Sequence, residues 1–182
     1  MNFTKLPIEG CNLIKFDKFK DSRGDFVKTF NENVFTENGL LLNMKEEFYS
    51  LSDKDVIRGM HFQNPPADHE KFVYCASGAI LDVILDIRPE SETYGQFYSV
   101  ELNDENCLAL WLPKGIAHGF LSLKKNSLMI YKTSSVYDPE YDTGIKWNSF
   151  GFNWPIKKPI ISKRDDAFSD FNKPRLIKGY ER

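Results

Sequence analysis

Histidine and cysteine are scarce in this 182-residue chain, long apolar runs are missing, and the formal net charge is only −2. Cysteine occurs three times, at Cys11, Cys75 and Cys107, widely spaced and without a Cys-x-x-Cys pair. That is a weak signal for disulfides or zinc, and reduced thiols are the better reading. The longest unbroken apolar stretch, Cys107 to Leu112, is far too short to span a bilayer. Residues Met1 to Pro7 lack the apolar segment of a secretory leader. With so little net charge there is no broad basic field for nucleic acid or an anionic membrane. The expectation is a soluble, cytoplasmic protein with neither kind of partner. No Gly-rich phosphate loop, serine nucleophile elbow or kinase signature is present. No repeat or linker divides the chain, so one domain over residues 1–182 is expected.

Aromatic residues, by contrast, are abundant: they make up 14% of the chain, with 15 Phe and 8 Tyr. Short apolar or alternating segments recur at Asn12–Phe16, Phe26–Phe30, Phe72–Ala76, Ala79–Ile87, Phe97–Leu102, Leu108–Leu112, Gly119–Leu123 and Leu128–Lys132. Ser77-Gly78, Tyr94-Gly95, Asn103-Asp104 and Lys114-Gly115 punctuate them. This spacing predicts an all-β antiparallel fold, most naturally a jelly-roll barrel. Two short helices are expected, at Asn31–Asn38 before Gly39 and at Asp165–Phe171. The basic tail Lys173–Arg182 reads as a mobile or partner-packed end.

The three histidines are His61, His69 and His118. His61 lies in Arg58-Gly59-Met60-His61-Phe62-Gln63, followed by Pro65-Pro66 and Lys71. Imidazole exchanges a proton near neutral pH, and fixed cations hold the negative charge left on a substrate oxygen. The bland alternative is a structural histidine. Strict alternation puts Arg58 on the face opposite His61, so a shared pocket requires a bend or bulge in the strand. His118, in Pro113-Lys114-Gly115-Ile116-Ala117-His118-Gly119, is placed on a tight turn, where it orients substrate or bonds to backbone. His69, in a polar loop, is expected to face solvent. A metal site built on His61, Glu70 and His118 is disfavoured, because Gln63 stands where metal-binding cupins carry the second histidine of a His-x-His pair. Tyr131 and Tyr137 read first as packing, although a phenol can donate a proton or stack on a base. In Ser162-Lys163-Arg164-Asp165-Asp166, a buried Asp behind a His would fix its tautomer.

Taken together, these segments resemble the dTDP-4-dehydrorhamnose 3,5-epimerase family of metal-free cupin enzymes. The resemblance runs from Asp21-Ser22-Arg23-Gly24-Asp25-Phe26 to Ser162-Lys163-Arg164-Asp165. It includes the Arg58 to Gln63 motif, Asp82 to Arg88, Leu112 to Phe120, Tyr131-Lys132-Thr133, Tyr137 to Glu140 and Trp154-Pro155. It implies a jelly-roll homodimer that inverts C3, C5 or both in a nucleotide-linked 4-keto-6-deoxy sugar, with neither metal nor redox cofactor. By motif position, His61 is implied as base, Asp165 as its carboxylate partner and Tyr131 as proton donor. Arg58, Lys71 and His118 fall at substrate-binding positions, as do Asp142 and Arg164. Tyr137 matches an aromatic near the nucleotide base, and Arg23 a nucleotide contact. Lys28 stands where the family usually has an acid, and Glu46 near where it has Gln; both positions contact the substrate, mainly its nucleotide. The rival readings are a nucleotide-sugar 3,4-ketoisomerase, an epimerase of GDP- or CDP-linked sugars, a metal-dependent cupin oxygenase and a non-catalytic sugar-binding module.

Overall fold

The computed structural model describes residues 1–41 and 43–171; the basic tail lies outside them. Thirteen strands are described: β1 (Asn2–Lys5), β2 (Asn12–Lys15), β3 (Lys18–Asp21), β4 (Gly24–Val27), β5 (Glu46–Ser52), β6 (Ile57–Gln63), β7 (Lys71–Ser77), β8 (Ala79–Asp86), β9 (Phe97–Asn103), β10 (Leu108–Leu112), β11 (Ile116–Ser122), β12 (Ser127–Thr133) and β13 (Asp142–Gly144). Two antiparallel sheets face each other, in the orders β1-β2-β10-β7-β12-β5 and β13-β6-β11-β8-β9, while β3 and β4 pair only with each other. This is the jelly-roll architecture of a cupin barrel.

Burial explains why some strands are easy to read and others are not. Ile84, Leu110, Ile116, Phe120 and Met129 occupy the space between the sheets. Phe150 and Trp154, from the segment after β13, cover the outer side of the five-stranded sheet against Val83, Leu85 and Leu121. Helix α1 (Glu32–Glu37) covers the other sheet, setting Phe35 against Phe72 and Trp111. Strands β8, β10 and β11 are therefore enclosed on both faces, and β10 and most of β8 read as apolar runs. Strand β5 is an edge strand that exposes Tyr49, at 68%, and Leu51 beside Glu47 and sets Ser50 and Ser52 on its other face, so its alternation is hidden.

Local signals set the helices. Asn31 caps α1 by accepting from the Asn33 and Val34 N–H groups, and Gly39 follows its end in the left-handed region. The second helix, α2, spans Lys163–Asp166, earlier and shorter than the expected Asp165–Phe171. Ser162 Oγ accepts from the Asp165 N–H at 3.0 Å, so the cap fixes the start before the acid pair rather than at it.

Candidate active site

A cleft of about 360 Å³ opens between the two sheets. His61 on β6 and His118 on β11 are paired residues of the five-stranded sheet. Lys71 on β7 and Tyr131 on β12 line the opposite wall. The wall carrying His61 depends on one irregularity. Phe120 pairs with Arg58 and His118 with His61, so two steps on β11 match three on β6. The extra residue is a β-bulge that resets the alternation, and Arg58 and His61 both line the cleft. Glycine is required at the crossing: a Cβ on Gly59 would lie 2.4 Å from the Gly119 Cα, and Gly59 holds φ +128. His118 is thus in the middle of a buried strand, not on the expected turn; the turn ends at Gly115.

His61 Nε2 meets Asp165 Oδ1 at 2.9 Å, and the other carboxylate oxygen accepts the Gly59 N–H at 3.1 Å. Asp165 is 4% exposed. Burial alone would raise its carboxyl, but hydrogen bonds from His61, Gly59 and Ser162 outweigh that and hold it below the usual carboxylate range. An ionised carboxylate on one nitrogen fixes the tautomer and favours the imidazolium once a proton is taken.

Across the cleft, Tyr131 is 9% exposed and its ring stacks on Phe48 at 4.7 Å between centroids. Its hydroxyl lies 3.1 Å from Ser50 Oγ. Burial pushes the phenol well above its ordinary value, so it keeps its proton through the neutral range. Lys71 is 8% exposed and donates to the His61 carbonyl at 2.9 Å. Burial brings its ammonium down from 10.5 to about 8, against the pull of Asp142 and Asp82. It is a cation at neutral pH with little solvent to screen it.

At the mouth, Arg164 pairs with Asp142, and both line the cleft with Tyr137 and Glu46. Glu46 Oε2 accepts the Tyr137 N–H at 2.7 Å. Arg23 and Lys28 do not reach this cleft. Arg23 sits on the turn of the β3–β4 hairpin, paired with Asp21 at 2.6 Å, and Lys28 is exposed just beyond β4. The hairpin stands apart from both sheets, with Phe19 and Phe26 exposed on it.

Three residues here carry more than the sequence suggested. His69 is not in solvent: the loop folds back so that its Nδ1 lies 3.2 Å from Gln63 Nε2 and 3.1 Å from Ser135 Oγ, and it lines the cleft. Burial, with Lys71 and Lys114 nearby, pushes it down to about 3. Gln63 donates to the Ala67 carbonyl at 2.7 Å and accepts the Asp138 N–H at 2.7 Å, tying the Tyr137 loop to β6. Asp82 is fully buried behind His118, with 2.8 Å between Oδ2 and Nε2. The available signal was a carboxylate inside the apolar run of β8. Among the described residues, no three His, Cys, Asp or Glu side chains converge as a metal-ligand set.

A cupin barrel with a His–Asp pair facing a buried phenol across one cleft has the equipment of an isomerase that moves protons on two faces of a ligand. Comparison with known proteins agrees. The profile of the dTDP-4-dehydrorhamnose 3,5-epimerase family matches residues 5–173, and the chain belongs to that family. The dTDP-4-dehydrorhamnose 3,5-epimerase of Methanothermobacter thermautotrophicus is 40% identical over 168 residues, 90% of either chain. The crystal structure of the Bacillus anthracis dTDP-4-dehydrorhamnose 3,5-epimerase, with TDP and pyrophosphate bound, superposes with a TM-score of 0.90 at 31% identity, covering 93% of this chain and 99% of that one. The Legionella pneumophila dTDP-6-deoxy-D-glucose-3,5-epimerase, in complex with dTDP-4-keto-L-rhamnose, gives 0.88 at 31% identity, covering 93% and 92%.

Proposed function

We propose that this epimerase inverts C3 and C5 of a dTDP-linked 4-keto-6-deoxy hexose, with His61 as base and Tyr131 as acid. The observation that carries the reading is their placement on opposite sheets with the cleft between them. A 4-keto group acidifies the hydrogens at C3 and C5, because the carbanion delocalises onto the C4 oxygen as an enolate. His61 removes a proton from one face, with Asp165 stabilising the imidazolium. Lys71, Arg58 and His118 surround the developing oxyanion and offset its charge. Tyr131 then delivers a proton to the other face, which inverts the carbon. Neither step transfers electrons to an acceptor, and the proton balance closes when His61 and Tyr131 re-equilibrate with water.

The dTDP donor is supported by the nucleotides bound to the similar Bacillus anthracis and Legionella pneumophila proteins. Tyr137, Glu46 and the Arg164–Asp142 pair form the mouth at which the nucleotide is bound. Arg23 and Lys28 complete that mouth from a second copy in a homodimer, since the hairpin bearing Arg23 is exposed, apolar at Phe19 and Phe26, and remote from its own cleft. The test is NMR in D2O with 4-keto-6-deoxy hexoses on dTDP, GDP and CDP. Deuterium at both C3 and C5 of the dTDP compound is the expected result. Exchange at C3 with migration of the keto group would instead mean a 3,4-ketoisomerase, and binding without exchange a sugar-binding module.

A further inference from the structure

The geometry points to Phe168 as a positioning residue for the His61–Asp165 pair, its ring seated in the space that Gly144 leaves by having no side chain. This rests on the reading of His61 as the base. The imidazole is tied to Asp165 through Nε2 alone, and one hydrogen bond leaves the ring free to swing about that contact. Phe168 closes one side of it, edge to face, with 5.8 Å between centroids and 79° between planes. The same phenyl ring carries the Arg164 guanidinium 5.2 Å from its centroid. Arg164, in turn, is paired with Asp142 two residues before Gly144.

Gly144 explains why the ring is there. It is the β13 residue paired with His61. A Cβ at this position would lie 2.4 Å from Phe168 Cε2 and 2.6 Å from Cδ2, closer than nonbonded carbons approach. The ring fills the volume of the absent side chain. Asp165 and Phe168 come from a single turn, three residues apart, so one short segment grips the imidazole from two sides. The Lys146 N–H donates to the Ser169 carbonyl at 2.9 Å and fastens that segment to the chain leaving β13. Packing and a hydrogen bond together restrict a base far more than either alone, and an ångström of misplacement is costly in catalysis.

The test is a double-mutant cycle on the full chain with Phe168→Ala, Gly144→Ala and the pair, read as steady-state kinetics over pH, solvent deuterium exchange and thermal melting. Phe168→Ala is expected to lower kcat by about 10- to 100-fold while KM changes by less than about threefold, because Arg164 keeps its Asp142 partner. The acid limb of the kcat/KM profile should move to lower pH as the imidazolium loses its fixed carboxylate partner. Gly144→Ala displaces the ring and should give the same kinetic signature, but cost much less on the Phe168→Ala background. The crowding of a Cβ against the Met60 carbonyl, at 2.7 Å, is common to both backgrounds and cancels in the cycle. Phe168→Leu, which keeps most of the volume, is the milder variant if the alanine chain does not fold, and it should show a smaller pH shift in the same direction. Lower melting temperatures with unchanged kcat and pH profile, or strictly additive effects, overturn the positioning role. His61→Ala is run alongside: if it retains exchange, the base assignment falls and this role with it, whereas an inactive His61→Ala beside a fully active Phe168→Ala overturns the role of Phe168 alone.

Discussion

Replacing Lys71 by Met should make the protein more stable and nearly inactive at the same time. The ammonium is buried, and its pKa falls from 10.5 to about 8. Each unit is worth about 1.4 kcal/mol, so keeping this charge inside the barrel at pH 7 costs the fold on the order of 3 kcal/mol. The sign follows from proton counts: between about pH 8 and 10.5 the unfolded chain holds a proton that the folded one has released. Folding therefore becomes more favourable as pH rises through that window, and below it the full cost applies. Met has a similar length and no charge, but it abandons the hydrogen bond to the His61 carbonyl, a loss of about 1 kcal/mol. The net gain is about 2 kcal/mol at pH 7, or roughly 4–8 °C in melting temperature for a chain of this size. Thermal melts at pH 7 and pH 10 are the assay. The advantage should be present at pH 7 and mostly gone at pH 10, while kcat drops about 10²–10³-fold if the proposed oxyanion-stabilising cation is lost. A variant that is destabilised at pH 7, or whose advantage does not shrink at pH 10, would refute the claim that Lys71 carries a desolvated charge.

His61→Ala and Asp165→Asn should each cut deuterium incorporation by about 10²–10⁴-fold, with circular dichroism showing an intact barrel. Turnover by the native enzyme should decline on the alkaline side as Lys71 loses its proton near pH 8, and residual turnover by Lys71→Gln should lack that decline. Gln63→Leu strands the Asp138 N–H, while the Ala67 carbonyl keeps its bond from Ser135 Oγ, so a loss of about 1–3 kcal/mol in urea unfolding is expected, with KM rising as the Tyr137 loop loosens.

Residue order revealed the barrel because β8 and β10, enclosed on both faces, read as largely apolar runs, whereas β11 was read only from Gly119 onward. It concealed β5, where Phe48, Tyr49 and Leu51 are exposed and no polar face marks the solvent side. The residues of the candidate site could be picked out from motifs, but their geometry could not. Alternation alone sets Arg58 opposite His61, and only the pairing with β11 shows the bulge that turns both into the cleft. His69 looked like a solvent residue because its neighbours Asp68 and Glu70 are polar. Its contacts come from Gln63 and from Ser135, 66 residues away, which no local pattern encodes. The same holds for Asp82, whose partner His118 lies three strands further along. Helix α2 was misplaced because Ser162 acts as a cap through its hydroxyl, a one-residue signal easily outweighed by the acids that follow.

If protons leave from one wall of the cleft and return from the other, as proposed, Tyr131→Phe should separate the two steps. Phe keeps the ring stacked on Phe48 and deletes only the hydroxyl beside Ser50. In the proposed mechanism, proton removal by His61 does not use that hydroxyl, whereas delivery to the opposite face does. The measurement is NMR of dTDP-4-keto-6-deoxyglucose in D2O with this variant, following label and configuration at C3 and C5 together. The expected result is deuterium entering the starting stereoisomer with little inverted product. Inversion at the native rate would contradict the account, because water would then be the acid and the two walls would not share the work.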